Sequence, residues 1–250
     1  MSTTLIPSEH GRSWPPPSSP WVMKQVWHDL LFAHWPVPVE QLRPLIPPAL
    51  QLDTYDGQAW IGVVPFRMSG IRPRWLPALP WISAFPELNV RTYVTANNKP
   101  GVWFFSLDAA NPLVVAIARR WYHLPYFHAR MSCREDGDGI IYASHRRHRG
   151  APPAAFIGQY QPSGPIFQAT RGSLAYWFTE RYCLYAVDSQ RRLFRGEIDH
   201  PPWPLQIADA RFATQTMTLP LGVSLPATPA FLHFSRRQDV RIWSIQPVAE

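Results

Sequence analysis

Apolar and polar residues alternate along most of the chain and predict a protein built mainly from β-strands. Three pairs of such segments are separated by turns rich in Asn, Asp and Gly, a pattern typical of β-hairpins. The predicted pairs are 50–55 with 58–68, 87–95 with 102–107, and 126–134 with 140–147. Further apolar runs predict strands at 21–35, 183–187, 193–198, 208–217 and 231–243. A Pro/Trp-rich loop at 70–86 is long enough to act as a lid.

Helical patterns are short. Residues 39–46 have apolar side chains at helical spacing and stop at two prolines, and residues 173–182 are a second candidate. In the segment 111–130, NPLVVAIARRWYHLPYFHAR, Asn111 is suited to cap a helix that begins at Pro112. Proline at position 125 prevents this helix from continuing, so a strand is expected to follow.

The strand expected after this helix begins YFHAR. Alternation places Tyr126, His128 and Arg130 on one face, with Phe127 and Ala129 on the other. A helix that leads through a turn into a strand can hold side chains rigidly at one edge of a sheet.

The composition indicates a single folded domain. The chain has 250 residues, of which 46% are hydrophobic and 16% charged, so it has ample material for a core. Its 29 prolines limit helices to short pieces. We expect a loose Pro/Ser-rich arm at 1–20 and one domain at 21–250. The simplest architecture is mainly β, a single-domain antiparallel β-barrel with a few short helices.

Charge and cysteine content restrict the function further. The formal net charge of +7 comes almost entirely from arginine, since Lys24 and Lys99 are the only lysines. Cys133 and Cys183 have no paired spacing, so neither a disulfide framework nor a zinc site is indicated, and no metal or cofactor is expected. No run approaches the ~18 apolar residues of a membrane span, and no signal-peptide pattern precedes the domain. We therefore expect a cytoplasmic protein.

Five spaced segments resemble the YqjF-like family, DUF2071, which is grouped with the acetoacetate decarboxylase-like fold. The segments are WHDLLFAHWPV at 27–37, DGQAWIGVVPFRMSG at 56–70, ELNVRTYV at 87–94, TERYCLYAVD at 179–188 and HPPWPLQ at 200–206. In addition, ARRWYHLPYFHARM at 118–131 resembles the decarboxylase segment G-R-E-x-x-G-[FY]-P-K-K. The resemblance runs from about residue 21 to the end and implies a barrel of the acetoacetate decarboxylase-like type.

The chain departs from the decarboxylase pattern at the residues that carry that chemistry. Those enzymes form a Schiff base between a lysine and a keto acid. The resemblance aligns Tyr126 and Phe127 with their two adjacent lysines, and neither side chain can form an imine. Lys24 and Lys99 lie in other segments. We therefore predict that this protein is not a Schiff-base decarboxylase.

A pocket of the same kind remains an expectation. The resemblance places Glu87 at an acidic position of the decarboxylase motif and His28 near an arginine at that family's N-terminus. The candidate catalytic residues are Glu87, Tyr126 and His128. The candidate ligand-binding residues are His28, His34, Arg91, Arg119, His123 and Trp203. A buried carboxyl group beside His or Arg can act as a general acid/base or help to bind a carboxylated ligand.

Each candidate also has an ordinary structural explanation. Glu87 can pair with an arginine on a neighbouring strand, and Trp203 can simply pack in the core. A histidine is often a hydrogen-bonded residue of the core or its rim, and Arg119 is a favourable cation at a helix C-terminus. The basic run HRRHR at 145–149 suits either nucleic-acid contact or a solvated loop; the loop is the simpler interpretation because it needs no aromatic platforms.

Three functions stay open at this point. The first is binding of a small anionic or oxo-bearing molecule in the barrel without covalent catalysis. The second is an acid/base enzyme in the same pocket, for example a lyase, hydratase or isomerase that uses Glu87, Tyr126 and histidines. The third is a nucleic-acid or protein interaction module, suggested by the net charge. A small-molecule partner is expected, nucleic acid is disfavoured, no membrane partner is expected, and homo-oligomerisation is left open.

Overall fold

The computed structural model describes residues 11–77 and 83–248, and the chain is mainly β, as expected. Its helices are α1 (Val39–Leu42), α2 (Pro112–Trp121) and α3 (Leu174–Thr179), with 3-10 turns at Arg43–Leu45 and Leu219–Leu221. The strands are β1 (Met23–Val37), β2 (Gln51–Leu52), β3 (Ala59–Pro73), β4 (Phe85–Ala96), β5 (Lys99–Ala109), β6 (Tyr126–Asp136), β7 (Gly139–Arg146), β8 (Ala155–Phe167), β9 (Cys183–Val187), β10 (Leu193–Asp199), β11 (Leu205–Gln215), β12 (Phe231–Ile242) and β13 (Gln246–Pro247).

All of these strands belong to one hydrogen-bonded sheet. From β5 the neighbours are β6, β7, β8, β11, β12, β1, β3 and β4, and β4 pairs again with β5. Strand β9 joins this series at β5, and β10 connects β9 to β12. Most pairings are antiparallel, but β5 runs parallel to both β6 and β9. The expectation of a purely antiparallel sheet is therefore wrong at these two pairings, where α2 and a longer segment make crossover connections.

Alternate residues of the strands divide between two apolar clusters. Leu88 and Val90 of β4 pack in a first cluster that receives side chains from ten strands, with Tyr142 and Phe234 among its large, fully buried members. A second cluster lies on the opposite face of β1, β3, β4 and β5. Fully burying one aromatic or aliphatic side chain stabilises the fold by about 1.5–3 kcal/mol. Both faces of the central strands are therefore core.

The second cluster is covered by helix and loop residues. Val115 and Ala118 of α2 pack on it, and so do Trp203 of the connection before β11 and Ala186 of β9. Helix α3 adds Phe178, which is fully buried. Polar side chains on this face of β4 are consequently enclosed between the sheet and its cover.

Two of the three predicted hairpins are confirmed. Strands β4 and β5 are joined at Asn97 and Asn98, whose φ values of 49° and 58° are those of a tight two-residue hairpin turn. Strands β6 and β7 pair across a turn at Gly137. The third prediction is wrong in its pairing: Asp56 and Gly57 form a turn, but β2 pairs with β4 and not with β3.

Strand β8 was not predicted from the sequence. It contains Pro162, Gly164 and Pro165, residues that usually interrupt strands. Its pairing with β7 ends at Tyr160, and beyond that point only β11 lies beside it. The prolines are tolerated because one side of the strand needs no hydrogen-bond donors there.

The predicted helices are confirmed, with corrected ends. In α2 the Asn111 side chain accepts hydrogen bonds from the N–H groups of Leu113 and Val114 at 3.0 and 3.2 Å. Helix α3 begins after Ser173, whose hydroxyl oxygen accepts from the N–H of Tyr176, and it is shorter than the predicted 173–182.

The predicted loose arm is anchored where the structure describes it. Arg12 is only 2% exposed; its guanidinium donates to the Glu197 carboxylate and, at 2.6 Å, to the carbonyl of Ile198. The indole N–H of Trp14 also donates to Glu197, at 2.8 Å. Residues 12–14 are thus part of the folded domain, because a buried carboxylate holds them. Residues 1–10 lie outside the described chain.

The predicted 70–86 loop is shorter in the structure. Strand β3 continues to Pro73 and β4 begins at Phe85. The Ser83 hydroxyl donates to the carbonyl of Ile71 at 2.8 Å, which ties the two strand ends together. Residues 78–82, on which a lid would depend, lie outside the described chain.

Candidate functional site

Four polar side chains alternate along the covered face of β4: Glu87, Asn89, Arg91 and Tyr93, called here the polar row. Members two positions apart on a strand lie roughly 6–7 Å from one another on the same face. Glu87 is 3% exposed, Asn89 5% and Tyr93 fully buried. A line of polar groups beneath an apolar cover is unusual, because burying such groups costs free energy unless they are paired.

One end of the polar row is a carboxyl–phenol pair. The hydroxyl of Tyr126 donates to Oε2 of Glu87 at 2.8 Å. From the other face of the sheet, Tyr142 donates to the backbone carbonyl of Glu87 at 2.7 Å. No described arginine or lysine forms an ion pair with Glu87, so pairing with an arginine, the ordinary explanation for this residue, is not what the structure shows.

Burial sets the protonation of this pair. It raises the pKa of Glu87 to about 8; the hydrogen bond from Tyr126 acts in the opposite direction, and the nearby Asp108 adds to the rise. Burial, followed by the proximity of Glu87, raises the pKa of Tyr126 well above its ordinary value. Both groups are therefore neutral at neutral pH. With Oε2 accepting from Tyr126, the proton of neutral Glu87 lies on Oε1, where it can be donated.

Asp108 on β5 forms a buried ion pair; burial raises its pKa, and Arg146 acts in the opposite direction. Arg146 donates to it from Nε at 3.1 Å and from Nη2 at 2.7 Å, and both side chains are buried. The Arg146 guanidinium also lies 4.2 Å from the centre of the Phe127 ring. This ion pair occupies Arg146 and keeps it from compensating Glu87.

The other end of the polar row holds a histidine. Nε2 of His34 lies 2.6 Å from the hydroxyl of Tyr93, and its ring stacks on Phe178 with 3.7 Å between ring centres. Burial, followed by the charge of Arg91, holds the pKa of His34 well below its usual value. Gly62 makes room for this ring, because a Cβ there would lie 3.1 Å from Nε2. His34 is thus a neutral imidazole in a fixed position.

Several buried polar atoms along the row lack a hydrogen-bond partner among the described residues. They are Oδ1 of Asn89, Nε of Arg91, Nδ1 of His34 and Nδ1 of His233. Arg91 has no carboxylate partner within the described ranges, and its contacts to Tyr93 and to the Phe178 carbonyl are long, 3.5 and 3.4 Å. Each buried polar group without a partner costs about 1–3 kcal/mol. The Nε–H of Arg91 needs an acceptor, whereas Oδ1 of Asn89 needs a donor.

The structure brings five of the predicted residues to this face. Glu87 and Tyr126 are in contact, and His34 and Arg91 are neighbours at the far end. Trp203 covers the same apolar cluster: its ring centre is 4.9 Å from that of Phe32 and its N–H donates to the Thr179 carbonyl at 2.9 Å.

Four predicted residues lie elsewhere. His28 bonds to Ser69 at 2.7 Å near the other end of β1, and His123, with φ of 53°, contacts Phe194. Neither joins the polar row, because His28 precedes the buried half of β1 and His123 belongs to the turn after α2. Arg119 and His128 line a surface groove beside α2.

The sequence did not single out Asn89, Tyr93, Gly62, Phe178 or His233 as members of the site. Asn89 and Tyr93 alternate with Glu87 and Arg91 in ELNVRTY, so the strand pattern alone could have identified them. No local pattern marks Phe178 or His233, which reach this face from distant parts of the chain.

Among the described residues, this face has neither a cluster of metal-binding side chains nor a lysine. Within 11–77 and 83–248, no group of three or more His, Cys, Asp or Glu side chains could hold a metal ion. Lys99 pairs with Glu197 at 3.0 Å, and the Lys24 ammonium lies 5.0 Å from the ring of Trp21. In the same described ranges, no helix is long and apolar enough to span a bilayer.

The fold is that of the acetoacetate decarboxylase-like proteins. The chain superposes on an acetoacetate decarboxylase from Legionella pneumophila with a TM-score of 0.65 at 11% identity, covering 95% of this chain and 93% of that one. It superposes on an acetoacetate decarboxylase-like enzyme from Sphingomonas wittichii RW1 with a TM-score of 0.61 at 11% identity, covering 93% and 95%. The enduracididine biosynthesis enzyme MppR, in complex with pyruvate, matches with a TM-score of 0.62 at 11% identity, covering 99% and 96%.

Within this fold the chain belongs to the family DUF2071, described as an uncharacterized conserved protein, whose family model matches residues 24–239. It is 47% identical over 230 residues to the uncharacterized protein YqjF of Bacillus subtilis, covering 92% of this chain and 94% of that protein. The family resemblance found in the sequence is confirmed.

Proposed function

We propose that the protein binds a small anionic, oxo-bearing molecule against the polar row, without forming a Schiff base. The observation that carries this proposal is the set of buried, unpartnered polar atoms on one face of β4, beside a neutral carboxyl group. Natural proteins leave few such atoms unsatisfied, and sites of ligand binding are among the exceptions.

The two ends of the polar row offer different hydrogen-bond donors, and these donors indicate which ligand would fit. At one end Arg91 provides a positive charge, and His34 provides an N–H at Nδ1 when Tyr93 donates to its Nε2. A carboxylate suits both groups. At the other end neutral Glu87 offers a proton from Oε1, which suits a carbonyl or hydroxyl oxygen.

We infer that this site lies outside the central core. The pairing series that returns from β4 to β5 supports a closed barrel of nine strands, whose interior is filled by the first apolar cluster. The polar row faces the other way, towards α2, α3 and Trp203. The ligand would therefore lie between the barrel wall and its cover, and not inside the barrel as the sequence suggested.

The absence of a Schiff base follows from the residue at the position aligned with the decarboxylase lysine. Tyr126 occupies it, and its hydroxyl is engaged with Glu87. An amine with a lowered pKa is required to form an imine with a keto acid. MppR, which shares the fold, has been crystallised with pyruvate, so pyruvate is a rational probe of an anionic, oxo-bearing ligand.

A second candidate is acid/base catalysis at the same place. A carboxyl group with a pKa of about 8, beside a phenol, can donate or accept a proton near neutral pH. This observation favours a lyase, hydratase or isomerase step on the bound molecule. The Glu87→Gln variant separates the two functions, because a binder keeps most of its affinity whereas an acid/base enzyme loses orders of magnitude in rate.

The proposal is tested by titrating the purified chain with pyruvate and following heat by calorimetry. We expect saturable binding that is weakened at least about tenfold in Arg91→Met, since a carboxylate loses its charged partner, and is unchanged in the exposed control Arg211→Met. Borohydride added to the complex should yield no covalent adduct. A stable adduct on a lysine, or equal binding by both variants, would contradict the proposal.

A further inference from the structure

A groove with a volume of about 630 Å³ lies on the surface beside α2, outside the polar row. Four arginines line it: Arg119 and Arg120 at the end of α2, and Arg147 and Arg149 of the segment after β7. His128, His148 and three apolar side chains of α2, Pro112, Val115 and Ala116, complete the lining. The volume is that of a site for a small organic ligand.

No carboxylate of the described residues lines this groove. Among the described residues, none of the four arginines on its walls forms an ion pair with Asp or Glu, whereas Arg146, one residue away, is fully paired with Asp108. Arg119 donates from Nη1 to the carbonyl of Tyr126 at 2.7 Å, which fixes one guanidinium on the wall. Four guanidinium groups around one groove create a positive potential that attracts anions.

His148 adds a directed hydrogen-bond donor to the groove. Nδ1 of His148 accepts from the backbone N–H of His128 at 3.2 Å, so a neutral His148 ring carries its proton on Nε2. Burial, followed by the charges of Arg119, His128 and Arg146, lowers the pKa of His148. The positive charges beside His148 therefore disfavour its protonated form.

We propose that this groove is a second binding site, for a small organic molecule carrying a phosphate-type oxyanion of more than one charge. Several planar guanidinium groups around one groove suit the several oxygens of a phosphate or diphosphate. The apolar wall from α2 suits a short organic part. The site is independent of the polar row, which holds a single unpaired guanidinium and a neutral acid.

A small molecule fits the groove better than a nucleic acid. Continuous nucleic-acid surfaces combine a basic track with aromatic platforms on which bases stack. The only aromatic rings in the lining of this groove are the two histidines, and Phe127 beside it is covered by Arg146 and His148.

The test is calorimetric titration of the full chain with pyrophosphate at low ionic strength. The double variant Arg147→Gln/Arg149→Gln removes two charges from one wall, and Arg134→Gln/Arg211→Gln removes the same charge from exposed positions outside the groove. We expect saturable binding that the groove variant weakens by at least about tenfold and the control variant by less than about twofold. Pyruvate binding should be unaffected by both.

Three results would overturn the inference. The first is the absence of saturable pyrophosphate binding by the wild-type chain. The second is an equal loss of affinity in both double variants, which would mean that net charge alone attracts the anion. The third is binding of a single-stranded oligonucleotide that pyrophosphate does not displace and that the groove variant abolishes. Loss of pyruvate binding alone would affect the polar-row proposal and leave this one standing.

Discussion

Glu87 sets the electrostatics of the candidate site because its buried carboxyl group contacts a phenol and not a cation. Compensation by a cation would have kept this group ionised, as Arg146 does for Asp108. The neutral form instead makes Glu87 a hydrogen-bond donor towards a ligand. The same property makes the stability of the whole protein depend on pH.

The first prediction concerns that dependence. The pKa of Glu87 is raised from 4.5 to about 8 on folding, so the folded state holds a proton that the unfolded state has released between these values. The contribution of the Glu87 carboxyl group to stability is fully present below pH 4.5 and is lost as pH rises through about 8. Between these values the free energy of unfolding falls by up to about 1.4 kcal/mol per pH unit.

Glu87→Gln, which cannot ionise, should remove this slope. Urea unfolding gives the free energy of unfolding of both proteins at each pH between 4.5 and 8. As pH rises, the variant should become more stable relative to the wild type. Parallel curves would show that Glu87 is already ionised in the folded protein.

The second prediction concerns the space around His34. Gly62→Ala should destabilise the protein by about 1–3 kcal/mol, because the added methyl group meets an imidazole that Phe178 and Tyr93 hold in place. In a His34→Ala background the same substitution should cost much less. Equal costs in the two backgrounds, measured by chemical unfolding, would show that the methyl group meets something else.

At the scale of single residues, the sequence could predict which side chains share a face but not what surrounds them. The alternation in ELNVRTY places Glu87 and Arg91 on one side of a strand. Whether Glu87 is neutral depends on Tyr126 and on burial by α2, which are brought together by folding. His28 and His123 were plausible by type, but the structure does not bring them to the polar row.

Strand β4 and helix α2 are the elements that carry the two proposed sites. The strand presents the polar row, and the helix both covers the second apolar cluster and supplies one wall of the basic groove. Helix α2 has only 10 residues, so its end contacts contribute a large share of its stability.

The third prediction tests the start of α2. Asn111→Ala removes the acceptor for the N–H groups of Leu113 and Val114 and should cost about 1 kcal/mol, whereas Asn111→Asp should retain most of it. Thermal unfolding gives the stability, and amide exchange at positions 113 and 114 gives the local effect. Unchanged exchange in Asn111→Ala would mean that another group caps the helix.

At the scale of elements, the local sequence was sufficient to predict those features that a turn or a helix cap determines. The Asn97–Asn98 turn and the Asn111 cap were both readable from the sequence. The partner of β2 and the existence of β8 were not, because they depend on strands far away in the chain. Proline in β8 is acceptable only because β7 ends before it.

Contacts between residues far apart in sequence tie the N-terminal segment to the sheet. Glu197 on β10 receives Arg12 and Trp14 from the start of the described chain and Lys99 from β5. Burial alone would raise the pKa of Glu197, but hydrogen bonds from Trp14 and Lys99 and the charge of Arg12 outweigh it and lower the pKa. The N-terminal segment is therefore a structural part of the domain.

The fourth prediction follows from this anchor. Arg12→Met should destabilise the fold by about 2 kcal/mol, less than for an isolated buried pair because Lys99 remains beside Glu197. The effect should shrink as pH falls below 4.5 and Glu197 is protonated. Arg241→Met, which breaks an exposed ion pair with Asp199, should change stability by less than about 1 kcal/mol. Chemical unfolding that ranks the two variants equally would contradict this role.

At the scale of the molecule, the order in which the strands pair could not be derived from local pattern. The parallel pairings of β5 and the anchoring of Arg12 depend on contacts between residues far apart in sequence. The resemblance to known proteins supplied the fold at this scale, while the residue pattern supplied the mainly β class.

The most direct test of the central claim is native mass spectrometry of the chain purified without denaturation. We predict a discrete small-molecule excess on the wild-type protein that disappears on denaturation, is absent from Arg91→Met and is retained by Arg211→Met. The same excess on all three proteins, an excess that survives denaturation, or no excess on any of them would contradict non-covalent binding at the polar row.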